Sequence, residues 1–144
     1  MKIAVASDHA GFSLKEKLKT YLRNHEINDF GTVTEESMDY PDTGFPAAEA
    51  VSNKLCEKGI LICGSGIGMS IVANKVKGIR AALCNSPQIA ILSRKHNNAN
   101  ILVLAGRFLD FNEAIKIVDA WLNTDFEGGR HQRRIDKIAD KEKN

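Results

Sequence analysis

The chain has 144 residues, of which 43% are hydrophobic, and this size and composition suit one folded domain over residues 1–144. The net charge of +2 is too small to indicate a nucleic-acid partner by itself. No apolar run approaches the roughly 18 residues of a membrane span, and the early charged residues argue against a signal peptide. Three cysteines without Cys-x-x-Cys spacing argue against a disulfide framework or a cysteine zinc site, so we expect a reduced, cytoplasmic protein.

Apolar runs alternate with helical spacing along the whole chain. The sequence predicts five strands, at 2–6, 27–30, 60–63, 80–84 and 101–105. In chain order, the helices are predicted over 14–22, over 46–57, from the glycine turn to near 74, and over 87–94, 112–123 and 128–141, the last of which is basic. A long loop is predicted at 32–45. We expect Ser13 and Glu16 to form a capping box and Pro46 to open the second helix. The polar segment 93–100 is expected to be a turn between a helix and a strand.

This alternation predicts an α/β fold with a five-stranded parallel sheet and helices on both faces. Ligands of such sheets bind outside the carboxyl ends of the strands. The residues expected at or near this edge are Asp8, His9, Cys63, the segment after Cys84, Asn97 and Asn100. The fold would then bring residues that are distant in sequence to one crevice.

The segment 60–70 carries the strongest functional signal. An apolar strand ends at Cys63, and Gly64, Gly66 and Gly68 follow before a helix begins. Such a turn collects unpaired backbone N–H groups at the positive end of a helix, which favours an anion and the thiolate form of Cys63. This combination indicates proton transfer on a substrate that becomes negatively charged. Cys56, expected on a helix, and Cys84 fit the role of small buried apolar residues instead.

Two known signatures fail in this turn. Met69 stands where the dinucleotide pattern G-x-G-x-x-G requires its last glycine, and where the phosphatase pattern C-x5-R requires arginine. A nicotinamide cofactor and a cysteine phosphatase are therefore disfavoured. No His-Glu-x-x-His pattern or dense ligand cluster indicates a metal site.

Two polar segments leave alternatives open. Asp8 and His9 follow the first strand, where Asp8 either caps the first helix or faces the crevice with His9 as a proton-transfer pair. His96 and Asn97 lie among turn-forming asparagines, so by themselves they fit a solvated helix end.

The C-terminal segment is basic. Residues 130–144 carry six Lys/Arg and three Asp/Glu, and Arg130 and Arg134 fall on one helix face about 5–6 Å apart. Two guanidinium groups at that spacing can bind one phosphate from two sides. A solvated basic helix and an RNA-binding tail are the alternatives, although no aromatic residues interleave with the arginines for base stacking.

Taken together, these segments closely resemble the type B ribose-5-phosphate isomerases, in the sugar-phosphate isomerase group that includes galactose-6-phosphate isomerase. The resemblance runs from Lys2 to about Ile138. It rests on five motifs in order, which are Ser7-Asp8-His9-Ala10-Gly11-Phe12, Asp39-Tyr40-Pro41, Ile62-Cys63-Gly64-Ser65-Gly66-Ile67-Gly68, Ser93-Arg94-Lys95-His96-Asn97 and Gly128-Gly129-Arg130-His131-Gln132-Arg133-Arg134.

The resemblance implies a role for each matching residue. Cys63 would be the base that moves a proton between C2 and C1 of the open-chain sugar, and Ser65, where many members have threonine, would donate a hydrogen bond or proton. Asp8 and His96 would assist opening of the furanose ring. The remaining roles are backbone donors to the enediolate at Gly64, Gly66, Ile67, Gly68, Met69 and Ser70, sugar contacts at Asn97 and Tyr40, and phosphate contacts at His9, Arg107, Arg130 and Arg134.

The resemblance also implies a Rossmann-like three-layer fold, no metal or organic cofactor, and a homodimer, sometimes a dimer of dimers, whose active sites draw on both subunits. The expected reaction is the interconversion of D-ribose 5-phosphate and D-ribulose 5-phosphate, a step of the pentose phosphate pathway. A six-carbon sugar phosphate such as allose or galactose 6-phosphate is a close alternative. A non-catalytic phosphosugar-sensing module is an alternative of another class.

Overall fold

The protein forms a five-stranded sheet between two layers of helices, as described by a computed structural model of residues 1–143. The strands are β1 (Lys2–Ser7), β2 (Glu26–Asp29), β3 (Lys58–Cys63), β4 (Ala81–Leu83) and β5 (Ile101–Ala105). The helices are α1 (Phe12–Tyr21), α2 (Pro41–Ser52), α3 (Ile67–Asn74), α4 (Pro87–Asn97), α5 (Phe111–Leu122) and α6 (Arg130–Glu142). Within these residues, no helix is long and apolar enough to cross a bilayer.

The sheet confirms the predicted parallel α/β architecture. Its strand order is β2-β1-β3-β5-β4, and every neighbouring pair is parallel. The central strands β3 and β5 are apolar and buried because helices cover both of their faces. Helices α2 and α3 pack on one face, and α1, α4 and α5 pack on the other.

The second helix begins earlier than predicted. It starts at Pro41, not Pro46, because Pro41 occupies the first helical position, where a missing N–H costs little. Pro46 lies inside the helix on its exposed side. Tyr40 is therefore the N-cap of α2 rather than a loop residue, and Cys56 lies in the turn after α2 rather than on a helix.

Helix α4 extends further than predicted, through Asn97 rather than to residue 94. Buried Ser93 and Arg94 hold its last turn against the protein, and Asn98 ends it in the left-handed conformation with φ of 45°. The asparagines do favour a turn, but only Asn98 takes up the conformation that stops a helix. His96 and Asn97 therefore lie on a helix terminus.

The predicted capping box of α1 is wrong. The N-cap is Gly11, and no side chain caps it. Glu16 instead accepts hydrogen bonds from Lys15 and Lys19. These ion pairs satisfy the carboxylate, so it does not turn back to the helix start.

A buried lysine joins α1 to the end of β2. Lys15 is 1% exposed and donates to both carboxylate oxygens of Asp29 at 2.8 and 2.7 Å. Burial alone would raise the pKa of Asp29, but hydrogen bonds from Lys15 and Lys19 lower it. The same carboxylate accepts from the Gly31 N–H, and the Gly31 carbonyl accepts from Ser7. This network fixes the backbone just before Asp8.

Candidate active site

Two strands place a thiol and a carboxylate side by side at the carboxyl edge of the sheet. Ser7 pairs with Ile62 across β1 and β3, and the Asp8 N–H donates to the Ile62 carbonyl at 3.2 Å. Asp8 therefore lies beside Cys63, and their exposed fractions are only 7% and 4%. Asp8 Oδ1 also accepts from the Gly11 N–H at 3.0 Å, so Asp8 supports the start of α1 as well.

The glycine turn presents backbone amides beside this thiol. Gly66 is the N-cap of α3. Its φ of 78° is a backbone conformation that residues with a side chain rarely adopt. The first helical amides, at Ile67, Gly68 and Met69, have no acceptor one turn earlier in the helix. Ile67 N–H is satisfied locally by Ser65 Oγ at 3.2 Å. Gly68 and Met69 remain as helix-terminal donors with the helix dipole behind them.

Ser70 does not contribute the backbone donor that we expected. Its N–H donates to the Gly66 carbonyl at 3.0 Å, because this is the first hydrogen bond that closes the helical turn. Met69 likewise contributes its backbone alone, since its side chain is fully buried.

Arg107 brings a positive charge to the same turn. The Arg107 N–H donates to the Gly64 carbonyl at 3.0 Å, and the Gly106 N–H donates to the Cys63 carbonyl at 2.8 Å. A methyl group built on Gly64 would lie 3.2 Å from Cδ and Nη1 of Arg107. The guanidinium therefore lies directly over the Gly64 backbone, where a side chain in place of the glycine would push it away.

Tyr40 and His9 border the same edge. A methyl group built on Gly68 would lie 2.7 Å from Cζ of Tyr40, so the phenol ring covers the first turn of α3. His9 Nδ1 accepts from the Met38 N–H at 3.2 Å, which leaves Nε2 as the protonated nitrogen of the neutral ring. His9 thereby ties the 32–40 loop to the end of β1.

A cavity of about 480 Å³ opens at the carboxyl edge beside the turn. Its lining residues are Ser65, Ile67, Leu83, Asn85, Ala105, Phe108, Leu109 and Glu113. Phe108 is 74% exposed and was not singled out from the sequence. The accessible space therefore lies on the Ser65 side of the turn, next to apolar surface.

His96, Asn97 and Asn100 lie at the opposite edge of the sheet, so our expectation for the two asparagines was wrong. Helix α4 crosses from the end of β4 to the start of β5, and a crossover helix runs against its strands. Its C-terminus therefore reaches the amino edge, where the Asn100 carbonyl accepts from the Gly59 N–H.

The two edges are well separated along the strands. Gly59 pairs with Ile101, and Cys63 pairs with Ala105 four residues later. At roughly 3.3 Å per residue, this corresponds to about 13 Å along the sheet. Within one chain, Cys63 and His96 therefore lie at opposite edges of the sheet.

The basic helix joins the amino-edge group. His131 of α6 stacks on His96 with ring centroids 4.3 Å apart and an interplanar angle of 15°. Burial, and then electrostatic repulsion from His96 and Arg130, lower the pKa of His131. Arg130 and Arg134 are exposed one turn apart on this helix. The sequence motif contains His131 but indicates no role for it, and only its stacking on His96 shows that it belongs to the amino-edge group.

Cys56 and Cys84 are buried as well, as expected. Burial raises the pKa of Cys84 to about 11 and also raises the pKa of Cys56. All three cysteines are free thiols. Among residues 1–143, no group of three or more His, Cys, Asp or Glu side chains is arranged to hold a metal ion.

Comparison with known proteins identifies the family. Residues 3–138 match the family described as Ribose/Galactose Isomerase. The chain is 49% identical over 145 residues to a probable ribose-5-phosphate isomerase B of Mycoplasma genitalium, covering 98% of this chain and 95% of that protein. It is 46% identical over 140 residues to ribose-5-phosphate isomerase B of Escherichia coli, covering 96% and 94%. The chain belongs to the ribose/galactose isomerase family.

Solved structures of this family have the same fold. Ribose-5-phosphate isomerase B of Clostridium thermocellum superposes with a TM-score of 0.97 at 51% identity, covering 99% of this chain and 98% of that one. The Mycoplasma genitalium enzyme, solved with bound ribulose-5-phosphate, superposes with a TM-score of 0.94 at 48% identity, covering 99% and 97%.

The buried cysteines give a direct chemical prediction. With a pKa of about 11, Cys84 is a thiolate in roughly one molecule in a thousand at pH 8. Iodoacetamide at pH 8 should leave Cys56 and Cys84 of the folded protein unmodified, whereas denatured protein should react at all three cysteines. Any loss of activity should follow modification of Cys63, measured by peptide mass spectrometry. Fast labelling of Cys84 in folded protein would contradict this assignment.

Proposed function

We propose that this protein interconverts D-ribose 5-phosphate and D-ribulose 5-phosphate through an enediolate. The observation that carries the proposal is the thiol of Cys63 beside Asp8 and the glycine turn, in a chain 48% identical to a protein solved with bound ribulose-5-phosphate. Relatives named ribose-5-phosphate isomerase B support the same reaction.

The proton-transfer half of the reaction belongs to the carboxyl edge. In the open-chain aldose, Cys63 as thiolate removes the proton from C2, and the C1 carbonyl oxygen becomes an enediolate oxygen. The amides of Gly68 and Met69 and the Ser65 hydroxyl face that developing charge. The proton then returns from Cys63 to C1, and the proton of the C2 hydroxyl passes to O1, so that C2 becomes the ketone carbonyl and C1 carries the hydroxyl. One such donor is worth about 3–4 kcal/mol of barrier in other enzymes, so two or three supply much of the acceleration.

The ring-opening and phosphate-binding half combines amino-edge residues of α4 and α6 with side chains that border the carboxyl edge. His96, with Asp8, moves the proton that opens the furanose ring, and Asn97 and Tyr40 contact sugar oxygens. Arg130 and Arg134, with His9 and Arg107, bind the phosphate and so set the position of C1 and C2 against the sulfur.

Because the α4 and α6 residues of this site lie at the opposite edge of the chain from Cys63, we propose a homodimer in which the carboxyl edge of one subunit meets the amino edge of the other. A two-fold axis forms two such contacts at once, which gives two complete sites. A further pairing of dimers into a tetramer is compatible with this arrangement.

The open side of the sheet supports a subunit contact. Strand β4 is an edge strand, and α3 and α4, the helices before and after it, carry exposed apolar residues. These are Ile67, Ile71, Ile89 and Leu92, with exposed fractions between 43% and 57%. Such residues flanking a strand whose outer side is unpaired favour burial against another chain.

We place the enzyme in the cytoplasm with a small sugar phosphate as its partner, and with neither nucleic acid nor membrane. Three free thiols fit a reducing compartment. The exposed arginines of α6 have a role in phosphate binding that does not require RNA.

The reaction itself is tested by following ribulose 5-phosphate formation from ribose 5-phosphate. Wild-type protein should turn over without added metal, and Cys63→Ala should lower kcat by roughly 10²–10⁴-fold, as expected for loss of a general base. Isothermal titration should show that the variant still binds ribose 5-phosphate. Wild-type protein that binds the sugar and never converts it would establish the sensor alternative instead.

Pentose and hexose substrates can be separated by kinetics, because the family also includes galactose isomerases. A fixed phosphate site sets one distance to Cys63, and a six-carbon sugar phosphate adds one carbon to that distance. We expect a higher kcat/KM for ribose 5-phosphate than for allose 6-phosphate. The opposite order would assign the hexose phosphate as the substrate.

The shared site predicts complementation between two inactive variants. When Cys63→Ala and Arg130→Ala chains are refolded together, about half of the dimers are mixed, and each mixed dimer has one intact site. Activity should return to about a quarter of the wild-type value for the same total protein.

The matched control mixes Cys63→Ala with Asp8→Ala. Both changes lie at the carboxyl edge, so every site in the mixed dimer keeps one defect and no activity should return. Equal recovery in both mixtures, or none in either after subunit exchange is verified by mass spectrometry, would contradict the shared site.

A further inference from the structure

Arg80 precedes β4 at the amino edge and is attached to the end of α4. Its Nε donates to the Asn97 carbonyl at 2.9 Å and to the Asn98 carbonyl at 3.2 Å. Its Nη2 donates to the same Asn98 carbonyl at 3.0 Å. These are carbonyls at a helix C-terminus, which have no partner within the helix and which attract a positive charge.

The backbone of Arg80 is itself fixed. Its N–H donates to Asn100 Oδ1 at 2.8 Å, and Asn100 Nδ2 donates to the Gly78 carbonyl at 2.9 Å. The Gly78 N–H in turn donates to both carboxylate oxygens of Glu142, near the end of α6, at 3.1 Å each. A continuous series of hydrogen bonds therefore connects α6, the segment before β4 and the C-terminus of α4.

We propose that Arg80 is a positioning residue for His96 and Asn97, and through them for the ring-opening step. This inference rests on the proposed function, in which His96 and Asn97 serve that step. Arg80 binds the carbonyl of Asn97, the residue next to His96, and so holds the last turn of α4 in place.

A second arginine stabilises the same terminus from the buried side, so loss of Arg80 should misplace the helix end without unfolding it. Arg94 Nη1 donates to Asn98 Oδ1 at 2.8 Å and to the Ala99 carbonyl at 2.7 Å. Arg94 is 7% exposed and belongs to the core packing, whereas Arg80 is only partly buried. Arg80 is therefore the member of the pair that can be changed with the fold intact.

Ribose 5-phosphate and ribulose 5-phosphate differ in ring chemistry, so ring opening and proton transfer can be measured separately. Ribose 5-phosphate is a furanose and must open before it reacts. Ribulose 5-phosphate cannot close into a furanose because its C5 oxygen carries the phosphate. Exchange of its C1 proton with D₂O therefore reports proton transfer at Cys63 without any ring step.

The experiment compares Arg80→Met, which keeps the length of the side chain and removes its donors, with wild-type protein. We expect kcat for ribose 5-phosphate to fall at least about tenfold, since a general acid–base group contributes more than that when well placed. Deuterium incorporation at C1 of ribulose 5-phosphate should stay within about threefold of wild type. Arg80→Lys should restore part of the conversion, because an ammonium group can donate to one of the two carbonyls.

Arg23→Met is the matched control, because Arg23 is an exposed arginine in the turn between α1 and β2. It should leave both activities unchanged, and thermal unfolding should confirm that all variants are folded. Conversion and exchange that fall in proportion, or that both stay unchanged in Arg80→Met, would overturn the inference. Wild-type protein that neither converts nor exchanges would refute the proposed function, and the role of Arg80 with it.

Discussion

In a parallel sheet connected by helices, the strands all run one way and the helices run back. This rule separates the candidate residues that follow strands from those that end crossover helices. A residue that follows a strand, such as Asp8 or Cys63, reaches the carboxyl edge. A residue at the end of a crossover helix, such as His96, reaches the amino edge. No local change in loop or side chain can bring the two groups together within one chain. The separation of these two residue groups is therefore a property of the fold.

The two edges differ in chemistry as well as in position. The carboxyl edge offers a thiol, a carboxylate and the first amides of α3, which together can take and return a carbon-bound proton. The amino edge offers stacked imidazoles and the arginines of α6, which suit a phosphate and a ring oxygen. His9 and Arg107 are the phosphate contacts proposed at the carboxyl edge, where His9 follows β1 and the Arg107 guanidinium lies over Gly64. In the proposed mechanism, neither edge alone both binds the phosphate fully and moves the proton.

The strands and the order of the elements could be predicted from the sequence because apolar runs such as Ile60 to Cys63 alternate regularly with helical spacing. The start of α2 could not, because Pro41 and Pro46 both fit a first helical position and only packing of the helix on the sheet decides between them. The end of α4 was missed for a similar reason, since buried contacts of Arg94 continue a helix that the asparagines would otherwise end.

For the site, the sequence could indicate Cys63 and the glycine turn as candidates because their chemistry is local. The direction of a helix relative to the sheet depends on the whole fold, so Asn97 was assigned to the wrong edge. The stacking of His131 on His96 depends on how α6 packs on α4, and no spacing in the sequence indicates it. The Ser70 amide was wrongly expected to be free because the sequence does not show that α3 has its N-cap at Gly66, which makes Ser70 the first residue whose N–H is bonded within the helix.

The most direct measurement is a crystal structure of the protein with ribulose 5-phosphate bound. The account predicts that the Cys63 sulfur of one subunit lies within about 4 Å of C1, close to the 3–3.5 Å of a reactive contact. The phosphate should then be held by guanidinium groups from α6 of the second subunit. A sugar phosphate bound by residues of one chain only, or one whose C1 lies far from that sulfur, would contradict it.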